Sequence, residues 1–85
     1  MIIYELVKVM KSNTSAIADS YTINLYRCKK TAEQQQQKRI ARVHKHIKKY
    51  FSHVTQHKSG ITYHGVSGQR VSIDYVIHQR NLIEN

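Results

Sequence analysis

Two periodicities divide the chain. Across residues 31–51, TAEQQQQKRIARVHKHIKKYF, apolar positions recur at helical spacing; before and after it they mostly alternate. At 3.6 residues per turn, Ala32, Gln36, Ile40, Val43, Ile47, Tyr50 and Phe51 fall on one side of a helix. No glycine or proline interrupts the run. Thr31 with Gln34 has the form of a capping box, and Glu33 sits where the dipole of the first turn favours negative charge. The pattern predicts one helix over 31–51.

The flanks read as strands. Residues 2–10 fit either period, and their β-branched content favours a strand with Ile3, Glu5, Val7 and Val9 on one face. Residues 12–20, SNTSAIADS, are turn formers and predict a loop. In 21–28, Tyr21, Ile23 and Leu25 alternate with Thr22, Asn24 and Tyr26, as in a half-buried strand. Residues 52–60 read as a helix end and loop, with a short strand around Val54 as the alternative. Residues 61–66 form a strand, 67–69 a turn in which Gly68 is free to take positive φ, and 70–78 a strand. There Val71, Ile73, Tyr75 and Ile77 face one way, and Ser72, Asp74, Val76 and His78 the other.

The predicted architecture is α+β in the order ββαββ: one antiparallel four-stranded sheet, order 2-1-3-4, covered on one face by one long helix. The expected core is Ile40, Val43, Ile47 and Phe51 against Ile3, Val7, Ile23, Leu25, Ile61, Tyr63, Val71, Ile73, Tyr75 and Ile77. The alternative is a winged helix with 39–51 reading DNA; the alternation of 21–28 argues against it. The 85 residues predict a single small domain with a frayed C-terminal tail over 79–85.

Charge changes the picture most. The chain has 14 Lys and Arg against 5 Asp and Glu, net +9, with a pI near 9.9. The imbalance concentrates on the predicted helix. Opposite its apolar side lie Lys38, Arg42, Lys45 and Lys49, flanked by Arg39 and His46, a row about 16 Å long at 1.5 Å per residue. Solvated helix faces mix signs, because like charges repel at i and i+4. Here no acid occurs between Glu33 and Asp74. The partners this implies are nucleic acid or an acidic protein surface.

Other chemistry is thin. Cys28 is the only cysteine, which excludes an intrachain disulfide and fits a reducing, cytoplasmic setting. The first residues have the pattern of neither a signal peptide nor a membrane span, being interrupted by Glu5 and Lys8. His44 and His46, and His53 and His57, lack the ligand number and spacing of a zinc site, so no metal or other cofactor is expected. Asp74, His64 and His78 share a predicted face but have neither nucleophile nor pocket, so no catalytic residues and no enzyme activity are expected. The uncovered sheet face should carry Tyr26, His64 and His78, a composition that suits plain solvent or a dimer contact first and stacking on unpaired bases second.

Two functions of different class follow. The first is a small basic binding protein without catalytic activity that contacts nucleic acid through Lys38, Arg39, Arg42, Lys45, His46 and Lys49. The second is a protein-interaction or inhibitor module, of the size carried by phages and mobile elements, that docks an acidic partner or pairs with itself as a homodimer.

Overall fold

A computed structural model describes residues 1–14 and 18–82. The chain runs β1 (Ile2–Ser12), β2 (Asp19–Tyr26), α1 (Lys29–Lys48), β3 (Val54–Gln56), β4 (Gly60–His64) and β5 (Arg70–Asn81). This is α+β, with one antiparallel sheet and one helix, as the periodicities imply. The sheet has five strands rather than four, because the short strand around Val54 forms and pairs with β4. Strand order is β2-β1-β5-β4-β3. The last strand, not the third long one, lies beside β1. The order 2-1-3-4 is therefore corrected, and the physical reason is length. Only β5, of 12 residues, matches the 11 residues of β1 along their whole shared register, Ile2↔Asn81 to Ser12↔Val71. Pairing β1 with five-residue β4 would leave half of its inner edge bare. Strand β5 also runs on through Asn81, so residues 79–81 are not a frayed tail; residues 83–85 lie outside the described residues.

The helix begins two residues before Thr31, with Cys28 as its N-cap and the Ala32 amide bonded to the Cys28 carbonyl at 3.1 Å. The capping box does not form. Thr31 lies inside the first turn, and Glu33 falls in the second. The start is set by packing instead, since Ala32 is fully buried there. The other end stops at Lys48, short of Phe51, where the Tyr50 and Phe51 amides both bond to the Ile47 carbonyl at 3.0 Å. The glutamine run does more than solvate the helix. Gln36 donates to the Tyr75 carbonyl at 2.6 Å and Gln37 to the Lys58 carbonyl at 3.4 Å, tying α1 to the backbone of β5 and of the β3–β4 turn.

The core lies between α1 and one sheet face. Ile40, Leu6 and Ile61 are fully buried, joined by Val71, Ile73 and Tyr75, with Ile23, Tyr26, Val43, Ile47, Val54, Tyr63 and Ile77 packed around them. Phe51 stacks at a tilt on Tyr63, 4.7 Å between centroids. Two face assignments are corrected. Register places Leu6, not Ile3 and Val7, on the helix side of β1, opposite Ile77. Ile3 and Val7 lie on the other face yet are only 9% exposed, because β1 is an interior strand and β2 and β5 shield it from both sides. In β2, Leu6 pairs with Asn24 and Val7 with Thr22, so Ile23 is an extra, bulged residue. The bulge turns Tyr26 toward the helix side and leaves Leu25 53% exposed on the open face.

Candidate nucleic-acid interface

With Ile40, Val43 and Ile47 held against the sheet, the opposite side of α1 points to solvent. Lys38, Arg42, Lys45, His46 and Lys49 are exposed there, and Arg39 is half-buried. The end of the helix suits this charge, because Lys45, His46 and Lys48 lie in the last turn, where the dipole is negative. Lys29 and Lys30 at the other end oppose it. Among the described residues the ion pairs are Glu5 with Arg80 and His57 with Asp74. None of these involves a cation of the helix.

Beside the row the helix and sheet enclose a groove of about 280 Å³, walled by Arg39, Arg42, Val43 and His46 and floored by Tyr75. Spacing at i, i+3, i+4 and i+7 puts the four wall residues on one helix side. The Arg39 Nε is buried and has no hydrogen-bond partner among the described residues. The floor continues outward by register: Tyr75 pairs with Lys8, and Lys8 with Tyr21, all on the helix-side face. Tyr21 is 57% exposed at the sheet edge, with the Lys8 ammonium 5.8 Å from its ring centroid. Lys8, Tyr21 and Tyr75 do not stand out in the sequence as site residues. Only the register aligns Lys8 and Tyr21 with Tyr75 of the groove floor, and alternation alone does not reveal register.

The open sheet face does not assemble as expected. Tyr26 faces the core side and packs there. His64 and His78 are both exposed on the open face but far apart. His64 pairs with Arg70, eight residues along β5 from His78, or about 27 Å at the usual rise. His78 lies instead beside Glu5. Glu5 accepts hydrogen bonds from the Thr22 hydroxyl and from Arg80 Nε, the latter at 2.7 Å, and these hold its carboxyl below the usual range.

At the β3–β4 turn, His57, Ser59 and Asp74 cluster. Ser59 Oγ lies 3.3 Å from Asp74 Oδ1 and 3.5 Å from His57 Nδ1, and His57 Nε2 lies 3.6 Å from the same carboxylate oxygen. The three side chains touch one another where the β3–β4 turn meets β5. His53 and His64 meet edge to face at 6.5 Å. Among the described residues no three metal-ligating side chains converge. Cys28 is exposed at the helix N-terminus. The Thr31 amide, its hydroxyl and the Lys30 amide favour the thiolate, so the thiol lies below its ordinary pKa.

Comparison with protein-family models, curated proteins and solved structures finds no match to this chain. Among the described residues no helix is long and apolar enough to cross a membrane.

Proposed function

We propose that this chain is a small binding protein, without catalytic activity, that holds nucleic acid by its phosphate backbone through the solvent side of α1. The observation that carries the reading is the row Lys38, Arg42, Lys45 and Lys49 with Arg39 and His46, which includes no acid and has no acidic partner among the described residues. Cations displayed together without counter-charge raise the local positive potential and are favourably neutralised by a polyanion, which releases its condensed counterions. Lysine-rich contacts of this kind position a backbone and read no sequence.

The test is a binding titration with long and short oligonucleotides across a salt series. Each phosphate contact to a duplex contributes about −0.9 to the slope of log affinity against log salt. Changing Lys45→Glu and Lys49→Glu together should weaken binding to all sequences alike and flatten the slope by roughly two units. A wild-type protein that binds neither oligonucleotide at low salt refutes the reading.

A second reading, docking to an acidic protein or to a second copy, draws on strand β2. It is an edge strand of eight residues whose outer backbone has no strand partner, whereas the opposite edge, β3, has three residues. Binding that is saturable but independent of polyanion length, or a concentration-dependent mass in solution, would favour it.

A further inference from the structure

We infer that the nucleic acid held by this protein is single-stranded, with its phosphates on the Arg39–Arg42 wall of the groove and an unpaired base on Tyr21. This inference rests on the nucleic-acid reading above and adds which form is bound and where.

Three features of the helix-side surface converge. The first is the groove itself. A duplex presents its phosphates on a broad convex surface and suits the open helix row, whereas a recess of about 280 Å³ admits one flexible strand. The second is the unpartnered Arg39 Nε. A buried donor without an acceptor is costly, and guanidinium groups bind phosphate oxygens through paired N–H donors. A phosphate seated beside Arg39 and Arg42 supplies acceptors to guanidinium groups that line the groove. The third is the row Tyr75, Lys8, Tyr21, which crosses three adjacent strands from the groove floor to the sheet edge, about 10 Å at the usual strand separation. It interleaves a cation with two aromatic rings and ends on a tyrosine that is 57% exposed.

This combination of positive groove and exposed ring is what unpaired strands use, because every base offers a face to stack on. A duplex turns its bases inward and leaves Tyr21 without a function. Lys8 serves both parts: its ammonium lies 5.8 Å from the Tyr21 centroid, which holds the ring, and it stands between that ring and the groove. On the open face the described aromatic groups include His64 with His53 beside it, His57 near Asp74, and His78, but no described tyrosine, since Tyr26 has turned to the core side. The stacking surface is therefore on the same side as the helix cations.

The experiment compares an oligo(dT) strand with a hairpin duplex of equal phosphate number by fluorescence anisotropy, at low and moderate salt. It uses wild type, Tyr21→Leu and Lys38→Ala. Wild type should bind the single strand more tightly. Tyr21→Leu should weaken single-strand binding by roughly five- to 100-fold, the range of one base–aromatic stack, and leave duplex binding unchanged. Lys38→Ala, outside the groove, should weaken both equally. If the duplex binds as tightly as the single strand and Tyr21→Leu changes neither, the inference is overturned while backbone binding stands. If wild type binds neither at low salt, both readings fall. Should Tyr21→Leu prove unfolded by circular dichroism, photo-cross-linking of a 5-iodouracil strand to wild type decides. A cross-link at Tyr21 supports the inference, and cross-links confined to the open face at His64 or His78 overturn it.

Discussion

Replacing Ile40 by alanine tests the orientation of α1, on which the display of every helix cation depends. Ile40 is fully buried between the helix and Leu6, Ile61, Val71, Ile73 and Tyr75. The change removes three carbon groups, worth about 0.8 kcal/mol each in transfer, or about 2.4 kcal/mol together. The surrounding strands are pinned by their ladders and cannot close fully on the space left, so a cavity term raises the expected loss to about 3–4 kcal/mol. A chain of 85 residues has a total stability of only about 4–13 kcal/mol, so the milder Ile40→Val, at about 1 kcal/mol, belongs in the same series. Ile47→Ala, at a half-buried position, should cost less than Ile40→Ala. Lys45→Ala, on the solvent side, should stay within about 0.5 kcal/mol of wild type. The assay is urea unfolding followed by circular dichroism, with the slope checked for constancy so that midpoints report stability. If Ile40→Ala loses no more than Lys45→Ala, the helix is turned about its axis. The basic row would then face the sheet rather than solvent.

Two further outcomes are expected. Gly60→Ala should destabilise by about 1–3 kcal/mol in the same unfolding assay, because an added Cβ would lie 2.0 Å from the Ile73 carbonyl oxygen and 2.8 Å from Asp74 Cα, forcing β4 off β5; unchanged stability would mean that the two strands are not so closely paired. Glu5, held below its ordinary pKa by Thr22 and then Arg80, contributes stability that is present above about pH 4.3 and lost as pH falls through its lowered native value; Glu5→Gln should therefore be less stable near neutrality and lose less between about pH 5 and about pH 2, and parallel pH curves for the two proteins would refute this.

The helix was legible because its two sides differ so sharply: Ile40, Val43 and Ile47 admit one orientation, and the cations follow from it. The strand faces of β4 and β5 were legible for the same reason, since Val71, Ile73, Tyr75 and Ile77 alternate with more polar neighbours. Strand β1 was not. Ile3, Val7 and Val9 compete with Ile2, Leu6 and Met10, so both parities look apolar, and which one meets the helix is decided by pairing with β5. Strand β2 hid a bulge at Ile23, which exchanges the faces of Leu25 and Tyr26 and has no residue signature of its own. The groove was illegible for a related reason. Lys8, Tyr21 and Tyr75 come from three strands, and only cross-strand register makes them neighbours. The helix start was misread because Thr31 and Gln34 satisfy a local capping rule that the burial of Ala32 outweighs.

The pairing of β1 with β5 also dictates when the protein can exist. These strands are the innermost pair of the sheet, yet Ile2 and Asn81 are joined through nearly the whole chain. The β1–β2 and β4–β5 hairpins close locally, at small entropic cost. The seam between them closes only after a long loop has been brought together, which places the fold among those governed by distant contacts. As the chain leaves the ribosome, β1 has an unpaired inner edge, and Leu6 lacks its partner Ile77, until β5 has emerged. The net charge of +9 keeps half-made chains apart in the meantime.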